Sequence, residues 1–128
     1  MTDHAHAENV DRAALDGVAL ARQAVEIAED RQASDILLLD VRGLCGYADA
    51  FVLMTVESRR QGQAIREAMH KGLREAGQPV LRTEGDADSG WLLMDFNDVI
   101  VHIFGEEQRA LYGLERLWRG AVPLVRIQ

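Results

Sequence analysis

The stretch Trp91-Leu-Leu-Met-Asp-Phe-Asn-Asp-Val-Ile-Val-His-Ile-Phe104 decides the fold class of this chain of 128 residues. It holds two short apolar runs, Trp91–Met94 and Val99–Phe104, which are rich in β-branched and aromatic residues and are therefore typical of strands. The polar segment between the runs ends in Asn97 and Asp98, a pair that suits a tight turn. The stretch therefore predicts two antiparallel strands joined by a hairpin.

Residues upstream of this hairpin predict more of a sheet and two helices. Three further apolar runs are predicted strands: Asp35–Val41, Ala50–Val56 and Val80–Thr83. Ser58 and Gln61 have the spacing of a capping box, so a helix should begin there and end near Gly77. A stripe of valine and alanine predicts an earlier helix over about 8–30.

The segment after the hairpin predicts one last helix. Glu106 and Glu107 stand where a helix N-terminus favours negative charge. The expected apolar face of this helix repeats at helical spacing: Ala110, Leu111, Leu114 and Leu117. Pro123 then ends the helical pattern.

The predicted element order is α-β-β-α-β-β-β-α, which favours an α/β fold with a mixed β-sheet covered by helices. A chain of this length fits a single domain with an apolar core of its own. We expect that domain to span residues 8–120, preceded by a disordered arm at residues 1–7 and followed by a C-terminal tail at residues 121–128.

The composition limits the classes of partner. A formal net charge of −7 disfavours direct binding to nucleic acid, which requires clustered lysine and arginine, so a basic protein is the better candidate. The single cysteine, Cys45, excludes an intrachain disulfide and a zinc site of four cysteines, and it is typical of a reducing compartment. The N-terminus lacks the pattern of an export signal, and no apolar run reaches the length of a membrane span. We therefore expect a cytoplasmic protein without a membrane partner.

Few residue patterns in this sequence suggest catalysis. Asp40 and Asp49 flank the loop Gly43-Leu-Cys-Gly46, and in a nucleotidyltransferase-like enzyme they would hold Mg²⁺ beside a nucleotide. The loop lacks the glycine spacing of a phosphate-binding loop, so we favour a structural or partner-binding role and keep the enzyme as the alternative. His102 has no second ligand at helical spacing, which favours a hydrogen-bonded structural histidine. We expect neither a cofactor nor a bound metal.

Trp91 has two competing interpretations. It follows a loop that contains Glu84, Asp86 and Asp88, and it precedes Asp95. An aromatic anchor with an acidic rim is typical of a surface that binds a basic protein. A tryptophan at the start of a strand is equally typical of a core. Composition and spacing leave these two interpretations balanced.

Six blocks follow one another along the chain after the N-terminal arm: Asp40-Val-Arg-Gly-Leu44, Ala48-Asp-Ala-Phe-Val52, Ser58-Arg-Arg-Gln61, Gly90-Trp-Leu-Leu-Met-Asp95, Asp98-Val-Ile-Val-His-Ile-Phe104 and Leu111-Tyr-Gly-Leu-Glu-Arg-Leu-Trp118. In order and separation they resemble the ribosomal silencing factor family, RsfS, also called Iojap. The resemblance implies a mixed α/β sheet similar to that of nucleotidyltransferases but without their catalytic acids. It also implies that the chain is not an enzyme.

The same resemblance implies a function and its partners. Members of the family bind the large ribosomal subunit through large-subunit ribosomal protein fourteen and block joining of the small subunit. Translation thereby falls when nutrients are scarce. Off the ribosome, members of the family are often homodimers.

The resemblance further implies which residues form the contact surface. The block with the Trp-Leu pair supplies the surface, here Trp91 and Leu92, with Asp95 as a neighbouring addition. Tyr112 and Arg116 match the C-terminal block, where they either complete the surface or pack the last helix on the sheet. These five residues are the predicted partner-binding site.

Overall fold

The structure is a computed structural model in which residues 17–128 are described. Its strands are β1 (Ser34–Asp40), β2 (Ala50–Val56), β3 (Arg82–Asp86), β4 (Trp91–Asp95), β5 (Val99–Gly105) and β6 (Val122–Ile127). Its helices are α1, described over residues 17–30, α2 (Arg59–Glu75), α3 (Glu106–Tyr112) and α4 (Leu114–Leu117). The arm predicted at residues 1–7 and the first part of the helix predicted from residue 8 lie outside the described residues. No helix among residues 17–128 has the length and apolar composition needed to cross a membrane.

The six strands form one sheet in the order β3-β4-β5-β2-β1-β6. Strands β2 and β5 pair in parallel, and all other neighbouring strands pair antiparallel. A parallel pair needs a crossover connection, which α2 and the β3–β4 hairpin supply between β2 and β5. The prediction of a single α/β domain with a mixed sheet is confirmed.

The predicted hairpin joins β4 to β5, and its antiparallel pairing is confirmed, with Trp91 opposite Phe104. Asn97 in the turn has a φ of 76°, a left-handed conformation that asparagine tolerates better than most residues. Side chains alternate along a strand, so β4 divides its residues between the two faces of the sheet. Trp91 and Asp95 lie on one face and Leu92 on the other.

Helices α1 and α2 cover the face on which Leu92 lies. The start of α2 is as predicted: Ser58 Oγ accepts a hydrogen bond from Gln61 N at 3.1 Å, and Gln61 Oε1 accepts one from Glu57 N at 2.8 Å. Gly72 allows α1 to approach closely, since a Cβ at Gly72 would lie 2.7 Å from Ile27 Cδ1. The core on this face contains side chains of both helices and of strands β1, β2, β4 and β5.

Shorter segments cover the opposite face, which we call the open face. Its buried side chains come mainly from β1, β2 and β5, and Leu114, Trp118 and Cys45 pack on them from the segments above. Tyr47 and Leu117, near these segments, expose 64% and 72% of their surface. The open face therefore keeps apolar surface in contact with solvent.

The C-terminal part of the chain differs from the prediction in two ways. The single helix predicted after the hairpin is broken at Gly113, whose φ of 56° is left-handed, and only one residue of the expected apolar face, Leu114, packs on the core. Leu111 and Leu117 are 76% and 72% exposed. The tail predicted at residues 121–128 instead contains edge strand β6, which pairs with β1. Pro123 is tolerated there because an edge strand leaves some N–H groups unpaired.

Strand β3 also departs from its predicted bounds. It begins at Arg82 rather than at Val80, and it continues through the predicted loop as far as Asp86. Each of its residues stands opposite a residue of β4. Pairing with β4 thus overrides the low strand propensity of acidic residues and glycine.

Candidate partner-binding site

Trp91 lies at the start of β4 on the open face, and its side chain is partly exposed. The indole and the ring of Phe104 stack with centroids 5.7 Å apart and planes 10° apart. Tyr112, the last residue of α3, contacts the indole with a centroid distance of 4.6 Å. The indole therefore packs on core residues, as one interpretation of Trp91 expected, and it still offers surface to solvent.

The indole of Trp91 also makes a hydrogen bond to a buried histidine. Trp91 Nε1 donates to His102 Nδ1 at 3.3 Å. His102 is only 5% exposed, and this burial lowers its pKa to about 4. The imidazole is therefore neutral near pH 7, and the lone pair of Nδ1 accepts the indole proton. The interpretation of His102 as a hydrogen-bonded structural histidine is confirmed.

Phe51 completes this group of rings. Its ring meets His102 edge-on at 5.5 Å and Trp118 edge-on at 5.1 Å, arrangements that the charge distribution of aromatic rings favours. We call the six rings together the aromatic cluster: Phe51, Trp91, His102, Phe104, Tyr112 and Trp118. A groove of about 460 Å³ adjoins the cluster, with mainly apolar walls and with Arg82 and Asp95 among its lining residues.

Acidic side chains of β3 lie beside Trp91. In the antiparallel pairing of β3 with β4, Asp86 stands opposite Trp91 and Glu84 stands opposite Leu93. Residues directly opposite each other share a face, so both acids flank the open face. Gly85 between them has a φ of 74°, and a Cβ there would lie 2.1 Å from Trp91 O. Glycine at this position therefore permits β3 to pair closely with β4 at the aromatic anchor.

The other acids near Trp91 have different surroundings. Asp95 accepts a hydrogen bond from Asn97 N at 2.8 Å, and its second carboxylate oxygen lies 3.9 Å from Arg82 Nη2. Asp88 forms an ion pair with Arg59 at 2.6 Å, between two exposed side chains. Asp95 thus belongs to the groove, whereas Asp88 is directed to the start of α2.

The structure separates the five residues of the predicted site. Trp91 and Asp95 line the groove, and Tyr112, which is 49% exposed, contacts Trp91. Leu92 is only 2% exposed and packs in the core under the helices, which corrects the expectation that it shares a surface with Trp91. The reason is the alternation of side chains along β4. Arg116 lines a different cavity of about 520 Å³, next to Arg109 and Glu115.

Arg109 anchors the C-terminal segment, a role that the sequence pattern did not reveal. Its guanidinium donates to Thr55 Oγ1 at 2.9 Å, to the carbonyl oxygen of Asp35 and to Glu115 Oε1 at 2.9 Å. The side chain of Arg109 is 11% exposed, so these bonds are made largely away from water. They attach α3, and with it Tyr112, to strands β1 and β2. Partners this distant in sequence leave no local pattern.

Asp40 and Asp49, the acids considered for Mg²⁺, are engaged within the chain. Arg42 donates to Asp40 from its backbone N and Nε, each at 3.0 Å, and from Nη2 at 2.8 Å, and these bonds lower the pKa of Asp40. Burial raises the pKa of Asp49, whose carboxylate lies against α1 at Gly17. Among residues 17–128, no three His, Cys, Asp or Glu side chains are grouped as a metal site requires.

Comparison with known proteins decides the family. The family described as "Ribosomal silencing factor during starvation", RsfS, matches residues 14–128. The chain belongs to this family. The resemblance that the six blocks indicated is thereby confirmed.

Individual members of the RsfS family match most of the chain. The chain is 36% identical over 109 residues to ribosomal silencing factor RsfS of Halalkalibacterium halodurans, which covers 85% of this chain and 92% of that protein. It is 39% identical over 101 residues to RsfS of Bacillus subtilis, and the match covers 79% of this chain and 85% of that protein. A crystal structure of a Chromobacterium violaceum protein matches the fold with a TM-score of 0.76 at 31% identity, covering 80% of this chain and 85% of that one. The two relatives by sequence are both named ribosomal silencing factor.

Proposed function

We propose that the chain binds the large ribosomal subunit through large-subunit ribosomal protein fourteen, blocks joining of the small subunit and so lowers translation when nutrients are limiting. The observation that carries this proposal is the partly exposed Trp91 on its buried aromatic support, in a chain of the ribosomal silencing factor family. Aromatic residues that are held rigidly in this way often dominate the binding energy of a protein interface.

The charge around Trp91 supports a basic protein as the partner. Glu84 and Asp86 lie along β3 on the same face as the indole, and Asp95 lines the groove. These three acids outweigh the single positive charge of Arg82, which pairs with Glu84 at 3.2 Å and with Asp95 at 3.9 Å. A protein that lies on phosphate-rich RNA carries the lysine and arginine that such a surface attracts. In this arrangement the acids accelerate association and orient the partner, while Trp91 and Tyr112 contribute buried apolar area.

The proposed contact surface is centred on Trp91, Asp95 and Tyr112. Leu92 contributes to it by packing beneath β4, because its side chain is in the core. Arg116, exposed on α4, is a peripheral member of the surface. A substitution at Leu92 therefore acts through the support of β4, and a substitution at Arg116 acts directly but weakly.

Binding alone is sufficient for repression in this proposal. A chain seated on the intersubunit face excludes the small subunit by its volume, so neither turnover nor a cofactor is needed. We therefore propose that the chain is a cytoplasmic repressor rather than an enzyme, with no sequence-specific nucleic acid and no membrane as direct partner. The ion pair between Arg42 and Asp40 supports this choice, because it occupies one of the two carboxylates that the alternative enzyme would need for Mg²⁺.

The free chain, in the same proposal, is a homodimer. Leu111 and Leu117 on the C-terminal segment expose most of their side chains to water. Removing such apolar surface from water is favourable by about 25 cal/mol per Å². A second copy that covers these residues would gain that energy.

Replacement of Trp91 by alanine tests the proposed contact. Truncation of a central aromatic costs about 2 kcal/mol or more, so Trp91→Ala should weaken binding to isolated large subunits roughly thirtyfold. Co-sedimentation with purified large subunits over a range of concentrations measures the Kd. A subunit-joining assay with the same protein should show a matching loss of inhibition.

Val122→Ala is the matched control for this variant. Val122 is 57% exposed and lies on β6, at the opposite edge of the sheet from β3 and β4. Truncation of an exposed apolar side chain there should leave the affinity for the large subunit unchanged. If a folded Trp91→Ala protein bound as tightly as the wild type, the proposed site would be wrong.

A further inference from the structure

We infer that His102 is a positioning residue for the partner-binding surface, because its Nδ1 holds the Trp91 indole through Nε1–H in the orientation that the partner binds. This inference rests on the proposed function and adds to it the residue that orients the aromatic anchor. His102 itself is buried and does not contact the partner.

The relative orientation of the two rings fits an in-plane hydrogen bond. Trp91 Nε1 lies 3.3 Å from His102 Nδ1, and the two ring planes differ by only 16° with centroids 6.1 Å apart. The indole N–H bond and the imidazole lone pair each lie in the plane of their own ring. The nearly parallel planes and the 3.3 Å separation are compatible with a hydrogen bond from the indole N–H to the imidazole lone pair.

The acceptor is held in place by its own neighbours. His102 stacks with Phe104, with ring centroids 5.9 Å apart and ring planes 6° apart. The ring of Phe51 meets the His102 ring edge-on, with centroids 5.5 Å apart. Burial among these rings lowers the pKa of His102 to about 4, so Nδ1 carries a lone pair rather than a proton at neutral pH. The imidazole is thus a rigid acceptor on β5, and it restricts the partly exposed indole on β4 to one orientation.

The hydrogen bond has a consequence for recognition. Because the Nε1–H of Trp91 is already bonded within the chain, it is not available as a donor to the partner. Trp91 presents the carbon surface of its ring, which suits an apolar pocket bordered by basic groups. Loss of the acceptor would allow the indole to rotate, and ordering it again on binding would cost affinity.

Two substitutions at His102 separate the hydrogen bond from simple packing. His102→Leu keeps an apolar side chain but removes the acceptor. His102→Asn places its amide oxygen at the same number of bonds from Cβ as Nδ1, so it retains an acceptor for Trp91. The Kd for purified large subunits should rise about fivefold in His102→Leu, as expected for one hydrogen bond, and should return close to the wild-type value in His102→Asn.

A double-mutant cycle with Trp91→Phe shows whether His102 acts through the indole N–H. Phenylalanine keeps an aromatic ring at position 91 but has no donor. In the Trp91→Phe background, His102→Leu and His102→Asn should have equal Kd values, since position 91 then has no N–H group to donate a hydrogen bond. A loss of the same size for His102→Leu in both backgrounds would show that the histidine only fills space, and it would overturn the inference.

A measurement on the wild-type chain keeps the inference testable even if the variants at His102 do not fold. The NMR signal of the Trp91 indole proton, identified by its disappearance in Trp91→Phe, should exchange slowly with water, and rapid exchange would overturn the inference. Binding of wild-type protein together with unchanged affinity of folded His102→Leu would also overturn it and leave the proposed function intact. Absence of wild-type binding to large subunits would overturn both.

Discussion

His102 shows how its surroundings set the chemistry of one side chain. Phe51 and Phe104 enclose the imidazole, so protonation would place a charge where water cannot solvate it. The two charged residues that line the adjoining groove, Arg82 and Asp95, have opposite signs. Burial is therefore the cause of the low pKa of His102, and the stability of the fold should depend on pH in consequence.

The free energy of unfolding should fall as the pH is lowered from about 6.5 to about 4. Unfolded His102 takes up a proton near its ordinary pKa of 6.5, whereas folded His102 does so only near 4. Between these values the unfolded chain binds one more proton, so the contribution of His102 is complete above the window and is lost as the pH falls through it. The loss should total about 3 kcal/mol. Urea unfolding at a series of pH values measures it.

His102→Asn is the control for this pH dependence. Asparagine does not titrate in the window, so the variant should lack this part of the decrease in stability. If the free energy of unfolding fell equally with pH in the wild type and in His102→Asn, groups other than His102 would cause the decrease.

Trp91 and Leu92 mark what could be predicted at single positions. Their assignment to strand β4 was correct, and alternation along a strand already implies that adjacent residues face opposite ways. The family resemblance suggested Trp91 and Leu92 together as the contact. Which face of the sheet stays open depends on where α1, α2 and the C-terminal segment pack, and no local pattern in the sequence contains that information.

At the scale of elements, the sequence predicted the strands and α2 better than the C-terminal segment. Ser58 and the apolar runs are local features that determine local structure. Leucines at helical spacing predicted one helix after β5, but Gly113 adopts a left-handed φ and divides it. The glycine was an available indication that a helix interior was unfavourable. Strand β6 had a local indication in the β-branched run Val122–Ile127, but Pro123 argues against a strand unless it lies at a sheet edge, and the edge of β1 is distant in sequence.

Replacement of Arg109 by methionine should loosen α3 and α4. Methionine retains a long apolar side chain but loses the bonds to Thr55, Asp35 and Glu115. One hydrogen bond to a charged group contributes about 2 kcal/mol, so loss of all three should lower the free energy of unfolding by at least that amount. Amide hydrogen exchange should accelerate over residues 106–117 more than in the strands.

Arg116→Met is the matched control for Arg109→Met. Arg116 lies on the same segment, but it is exposed. Its replacement should change neither the stability nor the exchange by a comparable amount. Equal effects of the two substitutions would contradict the role of Arg109 as the anchor of this segment.

At the scale of the whole molecule, the two faces of the sheet are covered to different extents. One face is closed by α1 and α2 and holds much of the apolar core. The open face carries the aromatic cluster, the groove and the acids of β3, all within reach of solvent. Composition and spacing predicted the α/β class. The proposed partner follows from the family resemblance, because composition and spacing describe only the chemical character of a surface.

Sedimentation with ribosomal subunits tests the central claim most directly. Purified chain is mixed with small and large subunits under joining conditions, separated on a sucrose gradient and located by immunoblot. We expect the protein to travel with free large subunits, and joined ribosomes to decrease as its concentration rises, with neither effect for Trp91→Ala. A wild-type protein that stays at the top of the gradient, or travels with joined ribosomes without reducing them, would contradict the account.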